Sequence, residues 1–355
     1  MTDFSSITAC GECCAGCPKK LDGRCPGCIE ADGRVPEWAE SGRCRVHACA
    51  RDHHVPFCGL CAEFPCNNLP SLISWNPGIV EKMAALRNEY NPDQSVRRMA
   101  DRIVSILDNH VHSVWLYGSV VLDDFRLGWS DIDILALADG QITERQARQL
   151  AGLRQAMLET EPDNPHYRSF EGVIADRHEY FTGSFSRLVY WGTSGQRITD
   201  RYQRDVFSSC ELAKYGRSVY GENDRSIFAA PSAAELAEAV RQHYETIRRF
   251  AVQTDERLYS CGWLLDISRC IYTLRYGDVI TKPRAGFWAL SEHLFENEEP
   301  LKTALEIRQD PMAYRNREDV KLWLKGLGPV VQQYADVLER ELIRAGRINE
   351  TRAAE

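Results

Sequence analysis

Residues 114–137 read VWLYGSVVLDDFRLGWSDIDILAL, two apolar runs of strand length separated by a Gly-Ser pair and a polar loop. A buried strand that runs into Gly118 ends where the missing side chain lets a phosphate approach the backbone. The Ser119 hydroxyl and the neighbouring amides can then donate to phosphate oxygens. Asp131 and Asp133 open the second run two positions apart, so the strand period directs both carboxylates to one face, where they repel unless a divalent cation lies between them. Mg²⁺ is the expected occupant, because it favours oxygen ligands and keeps triphosphate oxygens in its octahedral shell. An isolated Asp-x-Asp is weak evidence. A strand, Gly-Ser, a short loop, Ser130 and then Asp-x-Asp in an apolar strand is far more specific than the bland alternative, in which the aspartates cap a turn and Gly118 makes a bend.

The rest of the chain falls into three regimes. Residues 1–75 are rich in Cys, Gly and Pro with little periodicity, so they can bury little apolar surface and need a staple to fold. Asn76, Pro77 and Gly78 punctuate the chain. From residue 79 the pattern is helical, with Val96, Met99, Ile103, Ile106 and Leu107 on one face. Strands are expected at 113–117, 132–137 and 170–175, with a helix at 141–159 between the last two. After Pro231 the sequence turns to Ala-rich amphipathic stretches at 233–252, 264–275, 287–295, 301–308 and 320–345, the mark of a helical bundle. The expected domains are therefore 1–75, 76–228 and 229–355, the middle one α/β or α+β.

Composition narrows the function. A net charge of −8 and a pI near 5.7 argue against a general nucleic-acid binder, which needs clustered Lys and Arg. No apolar stretch approaches the roughly 20 residues of a membrane helix, and residues 1–10 have no signal-peptide character, so a cytoplasmic protein is expected.

The stretch around Gly118, Ser119, Asp131 and Asp133 resembles the nucleotidyltransferase superfamily that includes polymerase-beta-like enzymes. More closely, residues 80–345 resemble the streptomycin and spectinomycin adenylyltransferases. The resemblance implies an α+β chain, with a polymerase-beta-like nucleotidyltransferase domain followed by a C-terminal helical bundle. It implies transfer of AMP from ATP, with Mg²⁺, to a hydroxyl of a small molecule such as an aminoglycoside, and hence a link to antibiotic resistance. Gly118, Ser119 and Ser130 would face the nucleotide, and a third carboxylate on a later strand would act as general base. Glu171, in RSFEGVIAD, matches that position, with Asp176 as its rival. In residues 264–290, LLDISRCIYTLRYGDVITKPRAGFWAL, Arg269 and Lys282 match an arginine and a lysine that meet the phosphates, Lys282 in an expected loop. A polycationic acceptor needs carboxylates and aromatic faces, for which Trp191, Trp263 and Asp266 are the candidates. Two features depart from the family: the loop from Ser119 to Asp131 is slightly long, and Asp123 and Asp124 stand where a glycine is common.

Of the 14 cysteines, 11 fall between Cys10 and Cys66. In a reducing compartment such crowding signals metal ligation. Pairs with two intervening residues occur at Cys10/Cys13, Cys14/Cys17, Cys25/Cys28 and Cys58/Cys61, with wider pairs at Cys44/Cys49 and Cys61/Cys66. Two pairs can wrap one tetrahedral zinc, so at least two metals are expected. The segment resembles an uncharacterised zinc-ribbon-like family ending in Cys-x-x-Cys-x-x-Phe-Pro-Cys, here Cys58 to Cys66. Cys10, Cys13, Cys17, Cys25, Cys28, Cys44, Cys49, Cys58, Cys61 and Cys66 are then the candidate ligands of Zn²⁺ or an iron–sulfur centre, with Cys14 an addition. His47, His53 and His54 are weaker candidates, and the pairing of the thiols stays open.

Three functions compete. The first is adenylylation of a small hydroxyl-bearing molecule. The second is modification of a protein or RNA, as in minimal nucleotidyltransferases of toxin–antitoxin systems. The third is a binding module in which the cysteine segment recognises a protein partner and the transferase fold is only a scaffold. The extra helical domain favours the first, and an intact Asp131, Asp133 and Glu171 set argues against the third.

Overall fold

The computed structural model describes residues 2–67, 69, 78–192 and 195–347. They form two compact units, Met1–Asn91 with Glu306–Val320, and Pro92–Leu305 with Lys321–Glu355. The punctuation expected at Asn76 and Pro77, and the domain boundary beside it, lie outside the described residues. Among those residues no helix is long and apolar enough to cross a membrane.

Among the described residues before 78 the first unit has little regular structure: a single turn α1 (Pro18–Leu21), α2 (Arg45–Asp52) and several 3₁₀ turns. Helix α3 (Ile79–Tyr90) follows. The core is aromatic, with the Phe4, Phe57 and Tyr90 ring centroids 5.2–6.2 Å apart, and Met83 is fully buried beside it. The Met83 sulfur accepts the Gly59 N–H at 3.2 Å. Gln309, far along the chain, donates to the carbonyls of Ala50 and Val55, both at 3.4 Å. Such contacts supply burial that residues 1–75 alone do not contain.

The second unit is built on a six-stranded sheet ordered β5-β4-β3-β2-β1-β6. Its strands are β1 (Val111–Tyr117), β2 (Ile132–Ala138), β3 (Phe170–Asp176), β4 (Leu188–Gly192), β5 (Gly195–Thr199) and β6 (Arg217–Tyr220). Only β2 and β3 are parallel; the other neighbours are antiparallel. A parallel pair requires a crossover, which α5 (Glu144–Thr160) supplies behind a capping box between Thr143 and Gln146. Helix α4 (Asp93–Leu107) precedes the sheet, and α6 (Arg177–Thr182) and α7 (Val206–Tyr215) follow β3 and β5. Trp115, Leu135, Leu137, Val173, Ala175 and Leu188 on one sheet face form a core with Leu212 of α7 and Phe228. Each large apolar side chain buried there contributes roughly 1.5–3 kcal/mol. The three strands expected from the sequence are present and slightly longer; β4, β5 and β6 are additional.

The longer helices follow as α8 (Ala233–Phe250), α9 (Tyr259–Tyr276), α10 (Lys282–Ser291), α11 (Glu299–Gln309), α12 (Glu318–Lys325) and α13 (Gly328–Arg344), with a single helical turn at Pro311–Tyr314 between α11 and α12. The single helix expected over 320–345 is interrupted at residues 326–327, just ahead of Pro329, whose ring and missing N–H do not let a helix run through it. Lys282, expected in a loop, is the first residue of α10, which is capped by the Thr281 hydroxyl accepting the Arg284 N–H. Pro283 suits the first turn of that helix, where its missing N–H goes unneeded.

Candidate active site

Alternation along the sheet determines where the acidic residues lie. Asp133 shares a strand face with Leu135 and Leu137, and Glu171 shares one with Val173 and Ala175, so the carboxylates stand where that apolar face ends. Asp133 is paired in register with Tyr117 of β1 and with Glu171 of β3. Asp131 sits one residue ahead of β2. Gly118 follows β1 with φ at +68°, and a Cβ there would approach the Asp133 carboxylate to 2.1 Å, so only glycine fits between the bend and the acid.

The loop from Gly118 to Asp131 is tied internally. The Asp124 N–H donates to the Ser119 carbonyl at 2.9 Å, and the Ser119 hydroxyl donates to the Asp131 carbonyl at 3.3 Å. The buried Ser130 hydroxyl accepts the Arg126 N–H at 2.9 Å, which makes it a brace of the loop. Asp123 adopts φ of +56°, the left-handed region that favours glycine.

Electrostatically the acids are crowded. Burial pushes the Asp133 carboxyl well above its ordinary range, and the charges of Glu211, Asp131 and Glu171 push it further, against a smaller opposing effect of Lys282. The Glu171 carboxyl is raised to about 7, first by burial and then by Asp131, with Arg154 opposing. Arg154 is itself buried, donating to the carbonyls of Phe170 and Gly192. Crowded carboxylates of this kind suit a divalent cation chemically. Among the described residues no three His, Cys, Asp or Glu side chains are gathered closely enough to hold a metal ion by themselves. A site of two carboxylates completed by nucleotide oxygens does not require three.

Opposite the acids, Asp266 of α9 bridges two cations, accepting from Arg269 at 3.2 Å and from Lys282 at 3.1 Å. Burial disfavours its charge, yet Lys282, Arg269 and His243 together hold its carboxyl below the ordinary value. Arg269 also faces Glu211 of α7 at 3.8 Å and lies over the Phe207 ring. Asp266 and Lys282 line a cavity of about 430 Å³, shared with Trp263, His243, Tyr259 and Asp255.

Sequence reasoning thus named Asp266, Trp263 and Lys282, which meet in one cavity. Trp191 is not among its lining residues. It is fully buried on β4 and donates its indole N–H to the Leu150 carbonyl at 3.0 Å, a packing role. Asp176 is occupied as the cap of α6 and by the Gly140 N–H. Arg154, His243 and Glu211 went unread. The available signal for Glu211 was a lone glutamate between Cys210 and Leu212, both buried.

In the first unit Cys49, Cys58, Cys61 and Cys66 line one small cavity of about 40 Å³ together with His53. Burial pushes the Cys58 thiol up to about 12, helped by Cys66, Cys61 and Cys49. Cys14 and Cys28 touch, with Cys10 and Cys44 near enough to act on Cys28 electrostatically. Cys13 is exposed, Cys17 is partly so, and Cys25 is buried and accepts the Gly27 N–H at 3.5 Å. His47 is buried against Asp32 at 3.1 Å.

No protein-family model matches the chain, and no curated protein matches it. Among solved structures it is similar to a spectinomycin adenyltransferase AAD(9) from Enterococcus faecialis, determined with ATP and spectinomycin. The TM-score is 0.50 and the identity 15%, and the match covers 68% of this chain and 97% of that one. At that identity the likeness is one of architecture: over the matched part, this chain shares the fold of that structure.

Proposed function

We propose that the chain transfers AMP from ATP to a hydroxyl of a small cationic molecule of the aminoglycoside or aminocyclitol class. The observation that carries the reading is Glu171, a carboxyl raised to about 7 and in register with Asp133, so that it can accept a proton near neutrality beside the acidic pair. The acceptor hydroxyl oxygen forms the new bond to the α-phosphorus of ATP, Glu171 takes the hydroxyl proton, and the bond from the α-phosphorus to the bridging oxygen breaks to release pyrophosphate. Asp131 and Asp133 would hold Mg²⁺, which when bound neutralises and orients phosphate oxygens. Arg269, Lys282 and the Gly118-Ser119 bend then meet the charge that gathers on the departing pyrophosphate. The cavity with Asp255, Asp266, Tyr259 and Trp263 offers carboxylates and aromatic faces suited to a compact cation. ATP and spectinomycin, the molecules in the similar adenyltransferase structure, belong to these two classes. A cavity of this size favours a small molecule over a protein or RNA acceptor.

We also propose that Cys49, Cys58, Cys61 and Cys66, which line one small cavity without being gathered to coordination distance, draw together around one Zn²⁺ when it binds, since four thiolates have the donor chemistry of a structural zinc centre.

Incubation of the protein with α-labelled ATP, Mg²⁺ and a panel of aminoglycosides and aminocyclitols tests the activity. Label on a drug, abolished by Asp131→Asn, is the expected result; label on protein or RNA alone would overturn the acceptor class.

A further inference from the structure

The donors assigned above to the triphosphate are engaged by carboxylates of the chain itself. Burial raises the Glu211 carboxyl, while Arg269, Lys282 and the nearby Gly118 N–H act on it in the opposite sense. The Arg269 guanidinium lies 3.8 Å from the same carboxylate and 3.2 Å from Asp266, which also holds Lys282. Glu211 is buried on α7, one residue before the core residue Leu212, with Phe207 one turn earlier beneath the Arg269 guanidinium. Cys210 and Leu212, on either side of Glu211, anchor that helix in two apolar clusters. A buried carboxylate is retained where it meets donors that would otherwise be uncompensated. Here those donors are an amide at a glycine bend and a guanidinium, the groups that receive a phosphate.

We infer that Glu211 stands in for a nucleotide phosphate, keeping Gly118 and Arg269 oriented in the free protein and competing with the triphosphate for them. The inference rests on the nucleotidyltransferase reading. Nucleotide entry turns the Glu211 side chain away from the Gly118 amide and from Arg269, so the residue sets triphosphate affinity without touching the reacting atoms. Asp266 does not play the same part. Its carboxylate is shared with the acceptor cavity, so removing it would disturb both ligands.

Calorimetric titration with Mg·ATP, pyrophosphate and adenosine separates the outcomes. Glu211→Gln, isosteric and uncharged, is expected to bind Mg·ATP and pyrophosphate at least about tenfold more tightly than wild type, because a like charge is removed from beside the phosphates, while adenosine affinity stays the same. Glu211→Asp retracts the charge by one methylene and is expected to give a smaller gain, which keeps the test open if the glutamine variant fails to fold. Unchanged or weaker Mg·ATP binding by a folded variant, with wild type still binding, would overturn the inference alone. The same holds for a gain shared equally by adenosine. Binding by neither protein would overturn the nucleotide reading and this inference with it.

Discussion

Glu171 faces Asp133 across the parallel register, while Arg154 opposes the upward push that burial and Asp131 exert on its carboxyl. A carboxyl balanced near neutrality is a base whose removal should act on turnover and leave binding alone. Glu171→Gln is therefore expected to depress kcat at least about 100-fold with the Mg·ATP dissociation constant little changed. Stopped turnover and calorimetry on the same preparation check it, and unchanged kcat would remove Glu171 from the role. Residues of this kind were legible in the sequence because a strand writes its faces into alternate positions. Asp131 and Asp133 announce themselves by period and by apolar flanks, whereas Glu171 is singled out by the family resemblance. Glu211 has no such signature: a single acid in a short helix looks like a solvated face until the fold buries it. Trp191 shows the reverse. Its neighbourhood in the sequence points to a ligand, but β4 turns the ring into the core, where its N–H is satisfied by Leu150.

Among the elements, the amphipathic period located every long helix of the bundle, and the capping residues Ser232 and Thr281 fix two of their starts. The breaks were harder to see. The break within 320–345 falls at Gly326 and Leu327, ahead of Gly328 and Pro329, a helix-breaking signal that the amphipathic period passes over, while the close approach of Gly328 to the Val252 carbonyl is set by another element. Strands β4 to β6 are short, and β5 and β6 are partly exposed, so their alternation is too brief to stand out. The helices are then tied by charge. Arg275 of α9 donates to the Glu341 carboxylate of α13 at 2.9 and 3.1 Å, and Arg344 adds a further contact at 2.7 Å. Arg275 lowers the Glu341 carboxyl below its ordinary value. A carboxyl with a depressed folded pKa contributes stability that is present above its unfolded pKa and is lost as pH falls through the folded one. Glu341→Gln is accordingly expected to cost about 1–3 kcal/mol at pH 7. That difference should shrink towards zero in acid, below the ordinary glutamate range, as read by denaturant unfolding at several pH values. A constant difference across pH would show that the ion pair contributes nothing.

At the scale of the whole molecule, the first unit could not be delimited from sequence, since its core draws on α3 and on residues 306–320, and contacts such as Gln309 with Ala50 and Val55 span most of the chain. Cysteine spacing marked the thiol-rich segment in the sequence, and the fold brings Cys49, Cys58, Cys61 and Cys66 to one small cavity. The purified protein is expected to carry zinc by elemental analysis, and Cys58→Ser with Cys61→Ser to lose on the order of one ion per chain. Iron in place of zinc, or metal content untouched by the double substitution, would contradict the four-thiol assignment. The proposed catalysis requires Asp131 and Asp133 to take a divalent cation together with a nucleoside triphosphate beside the Gly118 bend. Calorimetric titration of ATP into the full chain, with and without Mg²⁺, tests this most directly. Saturable binding that requires Mg²⁺ and disappears in Asp131→Asn with Asp133→Asn is the predicted result; equal binding without the cation, or binding untouched by the double substitution, would contradict it.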